Sequence, residues 1–384
     1  MAKGAYIGVN NVARKIKKGY IGVDGVARKI KKAYIGIGGV ARPCWSGGEL
    51  AYYGTVTSMS YSHDRHAATT AGDYALIGGG SPSGRVEAYS SSLTKSSAES
   101  LGVDLSSSTR ESLSAASVGG YAFFAGGMDE GKVDYGYYCT ANIECYNPSL
   151  TKVGYKTIHA YVANLAGASV GNYVIFAGGE VVEVVDDGES TWPTNKVSAF
   201  NSSFTKSSPT TLSNAACFHA GASVGNYALF GGGHNMSYGT ITNMNAYNAS
   251  LTRSAPTALA KSRAQLRATA VGNYALFGGG FSSDNSTRTF VDAYNASLTR
   301  TTATAFSIAR YDSYAATTLG NYALFSGGSD GPKSVDVYDA SLTHTLRSEL
   351  TYNRSYHAAV AIGNYALISG GGGSTKTVEA YTIA

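Results

Sequence analysis

Two kinds of apolar run recur along this chain. In residues 1–45, short β-prone runs flank the dipeptides NN, DG and GG, inside AYIGVNNVARKIKK (5–18), GYIGVDGVARKIKK (19–32) and AYIGIGGVARPCW (33–45). DG and GG tolerate the two positive φ angles of a type I′ turn, so each unit reads as a β-hairpin. With Asn10–Asn11 as the turn, Val9 faces Val12, Ile7 faces Arg14 and Ala5 faces Ile16 on a mostly apolar side. Gly8–Ala13 and Tyr6–Lys15 fall on the other. A single hairpin of this size does not stay folded alone.

From residue 71 a longer pattern takes over. AGDYALIGGG (71–80) returns as VGNYALFGGG (224–233) and IGNYALISGG (362–371), seven times in all, with marker tyrosines Tyr74, Tyr121, Tyr173, Tyr227, Tyr274, Tyr322 and Tyr365. Each copy is followed by a second block of the type VDAYNASLTR (291–300), and a Thr/Ala-rich stretch separates the blocks. Four strands fit each period. Strand A is the Ala/Thr run, strand B is YALF, strand C carries Ala-Tyr, and strand D carries the Leu-Thr after an Asn-Ala-Ser corner. Strand B is apolar on both faces, as a strand covered on both sides should be. A self-similar period of this size signals propeller blades or another array, with an open solenoid as the alternative. The chain stops after strand C of the seventh unit, while AYYGTVT (51–57) aligns with AYNASLT (293–299). The N-terminal side is therefore expected to supply the missing outer strand, from within residues 51–61, and so to remove an exposed edge.

Composition narrows the class. The 384 residues include 48 Gly and 29 Tyr against 7 Pro, a mixture suited to turns and half-buried strands, which argues against a helical bundle or a disordered chain. No apolar run approaches the roughly 18 residues of a membrane helix, and MAKGAYIGVNN has no h-region, so neither a membrane span nor a Sec signal peptide is expected. Charge is divided unevenly. Residues 1–45 hold ten Lys and Arg against Asp24 alone, and the remainder twenty against twenty-four acids. Cys44, Cys139, Cys145 and Cys217 read as free thiols, with Cys139 and Cys145 on one strand.

The Gly-Gly pair closing strand B, the Tyr in strand C and the Arg before strand A (Arg110, Arg263, Arg354) resemble the kelch family over residues 51–384. The strand D positions depart from it, carrying Leu298, Val56 or Phe204 where kelch units usually have Trp. The resemblance implies an all-β, seven-bladed β-propeller with four-stranded blades, here residues 46–384. The AYIGVxGVARKxKK unit resembles a repeat of virion proteins from phages and prophages of Gram-positive bacteria. It implies that 1–45 is an attachment or assembly segment, with Tyr6, Arg14, Lys15, Tyr20, Arg28, Lys29 and Tyr34 as its contact residues.

Function is expected on one rim. The A→B turns and C→D corners are nearly uniform and share a rim, whereas the B→C and D→A connections on the other vary in length and content. Variable loops on a regular scaffold are where recognition usually sits. Asp129, Tyr135, Tyr137, Tyr138, Trp192, His234, Tyr238 and Phe281 lie in these loops and suit a sugar or peptide ligand. The competing reading is that these aromatics pack the long loops against one another. His66, His219 and His357 share one strand A position and suggest either a metal ring or plain packing, with packing favoured because no carboxylate or Cys accompanies them. The acidic stretch Glu180, Glu183, Asp186, Asp187 and Glu189 lacks EF-hand spacing, which leaves Ca²⁺ binding open. The expectation is a phage tail-fibre or baseplate receptor-binding protein, located on the virion and homo-oligomeric there. It would bind other virion proteins through the hairpins and a host glycan or protein through the body. No catalytic residues, cofactor, resident metal, membrane insertion or nucleic-acid partner are expected. The alternative is a bacterial kelch-like carbohydrate-active enzyme or a secreted glycan-binding protein.

Overall fold

The structure is a computed structural model. It describes residues 49–82, 84–102, 109–129, 138–185, 188–283, 286–329, 333–372 and 375–383, together with the backbone of six strands between 6 and 46. Those six strands form three two-stranded hairpins: Tyr6–Val9 with Val12–Lys15, Gly19–Val23 with Val26–Ile30, and Lys32–Ile37 with Val40–Ser46. Their registers set Tyr6 opposite Lys15 and Ile7 opposite Arg14, then Tyr20 opposite Lys29 and Ile21 opposite Arg28. The third differs, for a register shift after Ala33 sets Tyr34 opposite Pro43. Ala5 and Ile16 lie outside the described residues.

The body is all-β and propeller-like. Seven four-stranded antiparallel sheets repeat along the chain, each beginning with a five-residue strand A: Ala67–Ala71, Ser114–Val118, Ala166–Val170, Ala220–Val224, Arg267–Val271, Ala315–Leu319 and Ala358–Ile362. The first sheet continues through Tyr74–Gly78, Val86–Ser90 and Lys95–Ala98. In the last, strands Ala358–Ile362, Tyr365–Ser369 and Val378–Ile383 are joined by Leu50–Val56, whose outer ladder runs from Val378–Val56 to Ile383–Leu50. Each strand A packs beside the next, and the seventh beside the first. Apolar clusters lie between neighbouring sheets, and one of them joins Val360, Leu367 and Ala380 of the last sheet to Ala75, Ile77 and Tyr89 of the first.

Three devices recur among the units, the tyrosine replaced by Phe200 in the third and the arginine–acid pair absent from the third and fourth, and each has a physical cause. The A→B turn of one sheet meets the C→D corner of the next so closely that a Cβ on Gly225 would lie 2.7 Å from the Ala296 Cβ, and one on Gly171 2.7 Å from the Ala249 Cβ. Both glycines also have positive φ. The uniform rim is thus the interlock that spaces the sheets. The strand C tyrosine is buried, and its hydroxyl donates to the connector arriving from the previous sheet, as in Tyr294 to Thr257 O at 2.9 Å and Tyr247 to Thr210 O at 2.7 Å. Finally, the arginine before strand A is fully buried against an acid of strand C. The pairs are Arg110–Glu144, Arg263–Asp292, Arg310–Asp336 and Arg354–Glu379 at 2.5, 2.7, 2.7 and 2.7 Å. In the first unit His63 stands in for arginine, 3.6 Å from Glu87.

Three expectations are corrected. Strand D does not carry the Leu-Thr. The leucine sits in the corner with left-handed backbone, for example Leu298 at φ 62° and Leu93 at φ 64°, and the strand starts after the threonine. The corner asparagine forces this bend, since Asn295 Oδ1 accepts the N–H groups of Ser297 and Thr299. Cys139 and Cys145 lie on different strands of different sheets, because the chain turns at 140–141. Residues 180–193 are not a loop but a β-hairpin, Glu180–Val185 with Gly188–Pro193, extended by Val162–Ala163 into an eighth, three-stranded sheet. Val181, Val182, Val184 and Val185 supply the β-branched residues that strands favour.

Candidate functional site

A cavity of about 620 Å³ opens along the inner strands, lined by residues of all seven units. At its mouth every unit places a non-glycine residue in the left-handed region: Arg65, Ser112, Asn164, Phe218, Gln265, Ser313 and Tyr356, with φ between 50° and 60°. These positions lie where the D→A connection meets strand A, on the variable rim. A belt of backbone hydrogen bonds runs through them. Ser112 N donates to Arg65 O (3.0 Å), Asn164 N to Ser112 O (2.9 Å), Phe218 N to Asn164 O (3.0 Å) and Gln265 N to Phe218 O (2.8 Å). Tyr356 N donates to Ser313 O (2.7 Å), and Arg65 N to Tyr356 O (2.8 Å), which links the last unit to the first.

The corner leucines adopt the same backbone, but they are one residue type and serve packing. The mouth residues are chemically diverse. Only Asn164 belongs to a type that tolerates this conformation well, and each of the others costs on the order of 1 kcal/mol there. A hydrogen bond of the belt offsets about that much. A glycine would satisfy the belt equally, so the belt does not explain why Arg, Phe, Gln and Tyr stand at these positions.

Their side chains form two groups. On one side Arg65 Nη1 lies 3.1 Å from both Glu111 oxygens, and its guanidinium sits 4.8 Å from the Tyr356 ring centre, while the Tyr356 hydroxyl donates to Asp312 Oδ2 at 3.2 Å. Burial alone would lower the pKa of Arg65, but the Glu111 carboxylate holds it above its ordinary value. On the other side Glu180 accepts from Asn164 Nδ2 (3.1 Å) and from the Tyr238 hydroxyl (3.2 Å), which also lies 2.5 Å from Thr191 Oγ1. Burial and the Glu180 charge raise the Tyr238 pKa. His234 Nδ1 bonds Tyr238 O at 2.8 Å, and its ring stands edge-on to Phe218 at 6.0 Å.

Of the eight residues singled out from sequence, His234 and Tyr238 come together beside the mouth. Trp192 lies half-buried on the 188–193 strand opposite Val181, next to Thr191. Phe281 is partly buried, its backbone bridged to Ala264. Asp129 and Tyr138 face each other in a short ladder, and Tyr135 and Tyr137 lie outside the described residues. Loops of neighbouring units do pack together here: Cys139 Sγ approaches Glu180 O at 3.7 Å, and Tyr238 bridges Thr191 and Glu180.

The three strand A histidines are packed between sheets. His66 Nε2 bonds Ser369 Oγ (3.1 Å), His357 Nε2 bonds Ser326 Oγ (2.8 Å), and His219 packs against Phe230. Burial lowers all three pKa values, that of His219 to about 4. Among the described residues no group of three His, Cys, Asp or Glu has metal-site geometry. Within the acidic stretch, the Glu180 carboxylate is taken up by Asn164 and Tyr238; Asp186 and Asp187 lie outside the described residues.

Sequence reasoning missed the mouth residues. A usable signal existed, for each follows by two or three residues the position held by His63, Arg110, Val162, Ala216, Arg263, Arg310 or Arg354.

Fold and mouth together define a propeller-like body carrying a diverse, concave rim. In fold the chain is similar to the solved structure titled "Structure of YjhT", at TM-score 0.54 and 12% identity, covering 76% of this chain and 99% of that one. No family model matches the sequence, and no curated protein does.

Proposed function

We propose that this chain is a bacteriophage virion protein, part of a tail fibre or baseplate, whose body binds a host-surface glycan or protein and performs no catalysis. In this reading the body is a closed seven-bladed β-propeller of the kelch type, supported by the belt and by the packing of the last sheet on the first. The basic hairpins dock it to other virion proteins, and several copies sit on the particle. The attachment role rests on the repeat AYIGVxGVARKxKK.

The observation that carries the reading is the polarity of the body. Leu50 pairs with Ile383 at the C→D end of the last sheet, so the chain arrives on the uniform rim. The strained, varied residues sit on the opposite rim. A body tethered at one face therefore presents the other. Aromatic faces at Phe218 and Tyr356, set among amide, carboxylate and guanidinium groups, have the composition that holds sugars or peptides.

The test is adsorption of the labelled full chain to a panel of Gram-positive cells. Phe218→Ala and Tyr356→Ala are expected to abolish binding, since an aromatic hot spot contributes about 2 kcal/mol or more. Asn172→Ala, Asn226→Ala and Asn273→Ala, on the uniform rim, should leave it intact. Failure to adsorb to any cell, or loss through the asparagine set alone, would overturn the reading.

A further inference from the structure

The mouth repeats with sevenfold regularity except at one place, between the fifth and sixth units, where four departures meet. The belt bonds described above run through six of the seven junctions, and none among the described residues joins Gln265 to Ser313. The sixth unit bends through two successive left-handed residues, Asp312 (φ 45°) and Ser313 (φ 60°), where the other units use one. Tyr314 stands where the other units have Leu or His. Arg267 stands where they have Ala or Ser (Ala67, Ser114, Ala166, Ala220, Ala315, Ala358).

Arg267 is held but not neutralised. Its Nε donates to Tyr314 O at 2.9 Å and its Nη1 to Leu266 O at 3.3 Å, and its own N–H donates to the Tyr314 hydroxyl at 2.8 Å. Those contacts fix the guanidinium through carbonyls and leave Nη2 without a partner among the described residues. The acids of the cavity are engaged elsewhere, Glu111 by Arg65 and Asp312 by the Tyr356 hydroxyl. Arg267 is thus the one cavity-lining arginine without a carboxylate among the described residues. Beside it, Ser313 is 2% exposed and its hydroxyl has no hydrogen-bond partner, although it lines the same cavity. The Gln265 side-chain amide is engaged by no described residue. A buried hydroxyl without a partner and a positioned guanidinium without a counter-charge are both costly for the free protein. One anionic oxygen pair would satisfy them together.

We propose that this junction is an anion subsite of the cavity, in which Arg267 supplies the charge and Ser313 and Gln265 the flanking hydrogen bonds. It takes the carboxylate or phosphate of a polyhydroxylated ligand. The proposal rests on the reading of the mouth as a glycan site and narrows it to acidic glycans.

The test is calorimetric titration of the full chain with three probes: an oligogalacturonate, a polyglycerol phosphate and a neutral maltooligosaccharide of similar length. At least one acidic probe should bind about tenfold or more tightly than the neutral one, and lose affinity as salt rises. Preference between the two acidic probes tells carboxylate from phosphate. Arg267→Met should weaken the acidic probe by about tenfold or more with the Tm within about 2 °C, and Arg267→Lys should restore part of it. Should Arg267→Met unfold, Gln265→Ala on the rim is read instead and should weaken the same probe several-fold. Equal binding of the neutral probe, no binding of either acidic probe, or unchanged affinity in these variants overturns the subsite. Adsorption to cells that survives Arg267→Met would sink the subsite while leaving the receptor-binding reading in place.

Discussion

Arg354→Met is the sharpest test of what holds each unit together. In the native sheet both Arg354 and Glu379 are fully buried. Arg354 donates Nε and Nη2 to Glu379 Oε2 at 3.0 and 2.7 Å, Nη1 to Gly370 O at 2.5 Å and Nη2 to Thr377 Oγ1 at 2.9 Å. Methionine would keep the volume but leave Glu379 with only the Thr351 N–H and the Tyr52 hydroxyl, both at 2.6 Å. Removing one partner of a buried pair costs about 3–5 kcal/mol. For a body of about 335 residues, an unfolding entropy near 2.1 cal/mol/K per residue gives about 0.7 kcal/mol/K, so the Tm should fall by about 4–7 °C. The double variant Arg354→Met/Glu379→Gln should recover most of this, because the lone charge is gone while the Thr351 N–H keeps an acceptor. Calorimetry and urea unfolding of the two single variants and the double complete the cycle. A drop of less than about 1 kcal/mol for Arg354→Met, or strict additivity in the double, would show that the pair does not anchor the unit.

Three further outcomes are expected. His159 and His219 are buried neutral with pKa values of about 4, and burial also lowers His66 and His357 well below their ordinary value, so the folded state binds fewer protons than the unfolded one as pH falls below about 6.5. Stability from these groups is full above about pH 6.5 and is lost as pH falls toward 4, so the Tm should decline over that window and His219→Leu should flatten the decline; a flat native profile would refute it. Gly225→Ala should cost about 2–4 kcal/mol in urea unfolding, from its positive φ and the Ala296 methyl at 2.7 Å, and a cost near zero would refute the interlock. Deleting residues 1–61 should lower the Tm far more than deleting 1–45, because only the longer cut removes the Leu50–Val56 strand and Met59; equal melting temperatures would show that this strand is dispensable.

Much of the body could be read from residue order, because its devices are local. Gly-Asn before YALF marks a turn whose geometry needs glycine, and Asn-Ala-Ser marks a corner held by the asparagine side chain. The missing outer strand expected from within residues 51–61 is Leu50–Val56, although this segment is that strand itself and not the corner it aligns with. Pairings across 25 to 34 residues were harder to see. Arg110 and Glu144 are both plain in the sequence, yet nothing local says they meet. A clue was present: the third and fourth units lack the arginine and carry Ser198 and Asn245 in place of the acid. The mouth stayed hidden for a different reason. A left-handed residue leaves no compositional mark when it is Phe, Gln or Tyr instead of the glycine that sterics would favour. The acidic residues of 180–193 point to a loop and mask the β-branched valines that make it a hairpin.

The antiparallel pairing of Leu50–Val56 along Val378–Ile383 also sets how the body bears mechanical load. A pull between the N-terminal segment and the variable rim acts from the Leu50 end toward that rim, along the strand axis. The bonds of that ladder are then loaded together in shear and are not peeled one at a time. The fourth strand, the only one drawn from outside its own repeat, is thereby placed in the orientation that resists extraction best, and detachment under tension is governed by the slow unfolding rate of the last sheet.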